Sequence, residues 1–481
     1  MEKLLNVGNK ATKHAQKLGA DEAEIYLYTA NHATVKFVGG IFASRGGAVK
    51  GIKGLLARIG EPWIKKKGLP IITSGIRAGV GVRAVIKKAI GFSSVSSMEE
   101  KKVLEAVEEA VKIAKIRPPD PNWVSLPQPK KPTGKGGIYD KRVSDLDVAE
   151  MLDSCVDCCV TAGDFDKRIT QAMAMISTAS VSFGIVNTKG IEVSDKGTFF
   201  AIDVGTKAKS GDEEVSSGDY SMSRTFTENL QPIAISASKR TIESLGKKGS
   251  PEKYIGPVVF ENVSWIQLFS AIFTSGISAL NVQENRSVFK GKIGKKVAKE
   301  NISVVDDGTL PEGFGTTKID DEGFPKQKTP IIEKGILNSF LYDNYAAKRE
   351  KRDSTGNASR QRFYGAAAYA NQPTITPSNL ILIPHKGNLE ELVRETKEGV
   401  LVKGGLIGAL HSNRVTGDFS VTADNAFKIE RGEIAYPLKP CTVAGNFYEA
   451  LNSIITIGND LKTSANIMCP SIVIEKIVVS T

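Results

Sequence analysis

The spacing of apolar residues along the chain changes several times, and each change marks an element. From residue 4 to residue 18 apolar side chains fall three and four apart, which predicts a helix ended by Gly19. Ala23, Ile25 and Leu27 then alternate with their neighbours as a strand, and a second strand is predicted over residues 34–38, closed by Gly39-Gly40. Alternation resumes at residues 75–85, with Val80, Val82 and Ala84 on one face. Ser97 stands as the cap of the next helix, and Glu100 occupies its capping-box position. Val103, Leu104, Val107, Val111 and Ala114 form that helix's buried stripe, and Pro118-Pro119 stops it.

A Pro/Gly/Lys-rich linker follows at residues 121–138, separating an N-terminal α+β domain (1–120) from a central α+β module (139–250). In the central module residues 146–160 are amphipathic. Strands are predicted over 179–202 around the turn Asn187-Thr188-Lys189-Gly190, and a helix over 228–245 ends at Gly246. Beyond residue 251 an apolar helix is predicted at 265–280, a hairpin-like stretch at 331–342, and short strands from Leu380 onward. No period of 20 to 50 residues recurs, which excludes a solenoid.

Composition narrows the class. A chain of 481 residues exceeds one ordinary core, and 41% hydrophobic content suits a folded protein. The net charge of +11 is diluted over that length. It concentrates at residues 44–73, where Arg45, Lys50, Lys53, Arg58, Lys65, Lys66 and Lys67 face a single Glu61. Ile52, Leu55, Leu56 and Ile59 fall at helical spacing there, so a basic amphipathic helix is predicted for part of it. It reads first as a lysine-rich surface insertion, and second as a contact for phosphate groups or a membrane surface. There is no signal-peptide core and no run of about 18 apolar residues. Five cysteines without a paired framework point to a reducing compartment, so a cytoplasmic protein is expected.

Candidate chemistry is sparse. Cys155, Cys158 and Cys159 offer Cys-x-x-Cys spacing, but with no second pair they read as a buried helix face. The acids Asp203, Asp212, Glu213, Glu214 and Asp219 read as solvated groups on a strand edge and loop. The glycine-rich runs lack the Lys-Ser/Thr of a phosphate loop. Four histidines exist, His14, His32, His385 and His411, and none is followed by glutamate. A local two-histidine zinc helix is therefore excluded.

The most specific string lies in the last third. Thr416-Gly417-Asp418-Phe419-Ser420 leads through Asn425-Ala426-Phe427-Lys428-Ile429-Glu430-Arg431-Gly432 to Thr442-Val443-Ala444-Gly445-Asn446. It predicts strand, turn, strand, turn, helix. This string resembles the C-terminal domain of the TldD/PmbA family, intracellular metalloproteases whose active member carries a His-Glu-x-x-x-His zinc motif. The Gly-rich strand and the Pro118-Pro119-Asp120-Pro121 exit are similar to the family's N-terminal domain. The family pattern would put a short hairpin where the basic stretch lies. The resemblance implies an α+β fold: N-terminal helix/sheet modules, then a large strand-rich, mixed-sheet C-terminal domain over 251–481.

The zinc motif is absent. An ungapped register set by Gly276 and Ser287-Val288-Phe289 places Ser270 and Ser275 at the two zinc-histidine positions and Ala271 at the glutamate. A serine hydroxyl is a poor zinc ligand, and alanine cannot take a proton from water. Cys469 stands near the relatives' third ligand and reads as a core residue, or as a vestigial ligand. The chain thus resembles the PmbA (TldE) half of such a protease. No catalytic residue, metal ligand or cofactor is expected in it. Zinc is expected in a TldD-type partner, forming with this chain a heterodimer whose chamber admits small or unfolded peptides; a homodimer is left open. His411, Thr416 and Asp418 are candidate substrate contacts, although a loop histidine and an Asx-type turn explain them equally well. Two alternatives stand beside this reading: a stand-alone peptide- or nucleic-acid-binding protein, with nucleic acid the disfavoured partner, and a self-sufficient peptidase using His411 and Cys469.

Overall fold

The first long alternation forms one strand, β1 (Glu22–Gly40), of 19 residues. The computed structural model describes residues 2–40, 68–132, 134, 138–249, 252–360 and 367–481. β1 pairs antiparallel with β2 (Gly68–Ile86) on one side and β4 (Ile169–Asn187) on the other. β3 (Ala89–Val95) extends the sheet beyond β2, and β5 (Glu192–Ser210) and β6 (Glu213–Ser223) extend it beyond β4. The order β3-β2-β1-β4-β5-β6 draws the N-terminal and central stretches into a single sheet.

Several sequence expectations change here. The two strands predicted at 23–27 and 34–38 are one strand, because Ala30 pairs with both Arg77 and Val181 and the polar residues between them stay inside the ladder. β4 likewise starts ten residues before the predicted strand. Of the basic stretch, residues 68–73 open β2 opposite residues 34–39; residues 44–67, with the predicted amphipathic helix, lie outside the described residues. The capping box at Ser97 and Glu100 does not form. The helix Glu100–Ile116 has Glu99 at its N-cap, and the Ser97 hydroxyl accepts the Glu99 N–H at 3.1 Å.

Odd-numbered β1 side chains face helices. Ile25 and Leu27 pack on Glu2–Lys17 and Glu100–Ile116, and Val35 and Phe37 pack on Val148–Asp164. Cys155, Cys158 and Cys159 belong to that last contact; burial pushes their thiols up, Cys155 and Cys158 to about 12. They are packing residues. The even-numbered Tyr26 and Tyr28 turn the other way, onto Ile319 and Ala368 of the C-terminal half.

That half holds two mixed sheets. A nine-stranded sheet is built on Ile472–Ser480, which runs antiparallel to Lys253–Phe260 and Cys441–Asn446, while Gly399–Val402 joins Lys253–Phe260 in parallel. In a six-stranded sheet Leu380–Leu382 pairs in parallel with Ile467–Cys469 and antiparallel with Val304–Asp307. The 416–446 string holds four strands rather than the two predicted: Asp418–Ala423, Ala426–Glu430, the expected turn at Arg431 and Gly432 (φ +52° and +79°), then Glu433–Pro437 and Cys441–Asn446, and the helix begins only at Phe447. A helical run from Asn262 is embedded in the core common to both sheets, its Trp265 ring stacked on Phe447 at 5.0 Å. Among the described residues no helix is long and apolar enough to cross a membrane.

Buried charges fasten the two halves together. Glu24 of β1 binds Arg83 of β2 at 2.8 Å and also Arg360 of the C-terminal half. Arg83 reaches Glu322 at 2.8 Å, and the other Glu322 oxygen accepts the Asn344 N–H. Arg240 forks onto Glu261 at 2.6 and 2.5 Å, and Lys462 meets Asp219 at 2.8 Å. Asp219 is therefore a cross-domain anchor and not a solvated acid. Replacing Arg83 with Met leaves two buried carboxylates facing each other, so chemical denaturation should show a loss of about 3–5 kcal/mol. Lys10→Ala, which breaks an exposed pair with Glu100, should leave the midpoint unchanged.

Candidate functional site

The helix that carries Ser270, Ala271 and Ser275 is not uniform. Asn262–Leu268 is α-helical, Phe269–Phe273 widens into a π turn, and Thr274–Gly276 returns to α geometry. The single helix predicted at 265–280 thus breaks after Gly276, and Ala279–Gln283 forms a separate short helix. In a regular α-helix, residues five apart diverge by about 140°. A π turn hydrogen-bonds i to i+5 and swings them towards a common face. Ser270 lies within this π turn and Ser275, five residues on, just beyond it.

The side chains present do not suit a metal. Ser270 is exposed, and Ala271 is buried with only a methyl group. The Ser275 hydroxyl accepts the Asn281 amide at 3.0 Å. Cys469 is fully buried in the core, which pushes its thiol far above the usual range and disfavours a thiolate. Among the described residues no three His, Cys, Asp or Glu side chains stand in a metal-holding group.

Ser270 and His411 share a cavity of about 400 Å³ with Gln267, Leu406, Ser464 and Asn466. Two sheet edges border it. Leu406–Ile407 ends the nine-stranded sheet, and Lys462–Ser464 ends the six-stranded one. The Gln267 side chain accepts the Leu406 N–H at 2.8 Å, tying the first edge to the helix. His411 sits at the end of a short turn opened by Gly408 in the left-handed region (φ +92°). Such edges offer unpaired backbone groups to an extended chain. Gln267, Leu406, Ser464 and Asn466 carry no local mark of function in the sequence; only the turn-forming character of Asn466 hints at a special position.

Thr416 and Asp418 are not among the residues lining this cavity. The Asp418 carboxylate accepts the Thr416 hydroxyl at 2.6 Å and the Asn446 amide at 2.9 Å, which lowers its pKa. Asn446 in turn caps Phe447–Ser453. Gly417 has φ +88°, and a Cβ there would come within 2.4 Å of the Tyr448 ring; one at Gly276 would meet the Tyr448 hydroxyl at 2.7 Å. Tyr448 thus wedges the Thr-Gly-Asp turn against the end of the helix bearing Ser270 and Ser275.

Comparison with known proteins agrees with this arrangement. Residues 251–481 match the PmbA/TldA metallopeptidase C-terminal domain, residues 141–245 its central domain and residues 66–114 its domain 1. The chain belongs to the PmbA/TldD metallopeptidase family. An uncharacterized protein of Methanocaldococcus jannaschii is 29% identical over 85% of this chain and 91% of its own length. A metalloprotease TldD homolog of Buchnera aphidicola is 26% identical over 88% of this chain and 91% of that one. The structure of TldE from Thermococcus kodakarensis superposes with a TM-score of 0.81 at 23% identity, covering 99% of this chain and all of that one, and shows the shared fold.

Within this PmbA/TldD scaffold the electrostatics are unusual beside the buried network. Burial and the neighbouring Glu322 raise Asp343 to about 7 and Asp320 to about 8. An acid whose folded pKa lies above its unfolded value holds its proton more tightly when folded. Its contribution to stability is complete below the unfolded pKa of about 4 and is lost as pH rises to the folded value. Asp343 also caps Asn344–Arg349 through the Ala346 N–H, a role asparagine fills equally well. Between pH 5.5 and 8.5 the wild type should therefore lose roughly 1–2 kcal/mol more stability than Asp343→Asn, read from denaturation midpoints. Parallel pH profiles would contradict the assignment.

Proposed function

We propose that this chain is the non-catalytic subunit of a zinc metalloprotease of its family. It shapes half of a dimer chamber and guides small or unfolded peptides towards a zinc ion held by a TldD-type partner. The observation that carries this is the helix at 270–275, where serine, alanine and serine stand at the motif positions beside a π turn. Zinc chemistry needs about three protein ligands and a base converging on one point, and these side chains supply neither. Five free, buried cysteines suit the reducing cytoplasm in which such a complex would work.

The cavity between the two sheet edges fits the guiding role. An extended peptide adds its backbone to an open edge and presents alternate side chains to the wall. His411 would contact such a peptide from the wall of this cavity. Thr416 and Asp418 act one layer back, by fixing Asn446 and through it the helix that holds Tyr448 in place.

The test is cleavage of an unstructured peptide in the presence of zinc by this chain, by a zinc-bearing TldD-type relative, and by the two together. Cleavage is expected to be negligible with the chain alone and at least several-fold faster in the pair than with the relative by itself. Zinc-dependent turnover by the chain alone, or a relative indifferent to its presence, would overturn the proposal.

A further inference from the structure

A second cavity, of about 350 Å³, lies where the six-stranded sheet of β1–β6 meets the C-terminal half. It shares Ala465 and Asn466 with the cavity at Ser270 and His411, so the two adjoin. Phe183 of β4, Phe199 of β5, Phe314 and Ile319 give it an apolar wall, the rings of Phe199 and Phe314 lying 5.0 Å apart. Volumes of this order hold a ligand of one or two residues.

Lys326 brings a charge into this wall. The residue is 7% exposed, and its ammonium donates to the Ser378 hydroxyl at 2.7 Å. An ammonium carries three N–H donors. Among the described residues no carboxylate stands within ion-pair distance of it, so two donors are left for a ligand. The acids that feel its charge are Asp306, Asp320 and Asp321; Asp320 and Asp321, like Arg224, also line the cavity, and all three acids accept hydrogen bonds from other donors. Asp306 accepts from Asn357 and the Ser378 N–H. Asp320 accepts the backbone N–H groups of Glu322, Phe324 and Ala358. Asp321 accepts from Tyr26 and the Arg360 N–H. Burial raises the pKa of all three acids, Asp320 to about 8. The lysine stem is held in place, because Gly308 leaves no room for a Cβ beside it. A buried cation with unused donors is costly unless an anion completes it.

We propose that this cavity binds the C-terminal carboxylate of a short peptide ending in an apolar residue. Lys326 Nζ and the Ser378 hydroxyl, both donors to the ligand, would hold the carboxylate, and the phenylalanine wall would take the terminal side chain. This rests on the peptide-handling role proposed above and deepens it: the body of the same peptide would run past Ala465 and Asn466 towards Ser270 and His411.

The test uses the purified full chain without any partner. Isothermal titration with N-acetyl-Ala-Phe is compared with titration by the same dipeptide as its C-terminal amide. The free acid should bind at least tenfold more tightly, and Lys326→Gln should remove that preference. The wild-type comparison decides the matter even if the variant folds poorly. Equal affinity for acid and amide, or no binding of the acid up to millimolar concentration, would overturn the site. No cleavage is read, so the two proposals fail separately. A chain that stimulates its partner but ignores the carboxylate loses only this site, whereas a carboxylate preference in a chain that stimulates nothing supports the site and refutes the subunit role.

Discussion

The arrangement of this molecule depends on the buried chain of charges Arg360–Glu24–Arg83–Glu322. Each member is at most 4% exposed. Taking four charges out of water costs several kcal/mol per ion, and only mutual pairing with further hydrogen bonds offsets that. Pairing is possible in one relative placement of the sheet and the C-terminal half. Apolar contacts such as Tyr26 on Ile319 would tolerate some sliding; the ion chain does not. The position of both cavities follows from this, because one is lined from both sides of the seam and the other shares residues with it.

Within that frame, scaffold and chemistry have separated. The helix with the π turn and the edges at Leu406–Ile407 and Lys462–Ser464 border a cavity of about 400 Å³, and Tyr448 braces the end of that helix against Gly276 and Gly417. What is missing are the donor atoms on the helix. The side chains at these positions fit the fold as they stand: Ser275 finds a partner in Asn281, Ser270 faces solvent and Ala271 packs. In the proposed role, such a chain would position a peptide without activating water.

Much of this was legible in the sequence where the signal is local. The strands on either side of the Arg431-Gly432 turn follow from alternation and from that turn, and the lack of a zinc motif follows from what stands after each histidine. Boundaries failed where pairing overrides composition. The polar middle of β1 looks like a loop until β2 and β4 satisfy it from both sides, and Ser97 looks like a cap until packing starts the helix at Glu100. The ion chain was invisible because its members lie far apart in sequence, 336 residues in the case of Glu24 and Arg360. Lys326 sits in Gly323-Phe324-Pro325-Lys326, which reads as an ordinary loop; only tertiary burial makes it notable. Asp219 was misjudged for the same reason, since its partner Lys462 comes from the far end of the chain.

In the proposed role the 270–275 helix holds no zinc of its own, because serine, alanine and serine supply no metal ligands. The most direct test is zinc stoichiometry, measured by elemental analysis on the purified chain after stripping, reloading with excess zinc and desalting. The account predicts far less than one zinc per chain, unchanged by Cys469→Ala or His411→Ala. One tightly held zinc per chain, lost in either variant, would contradict it.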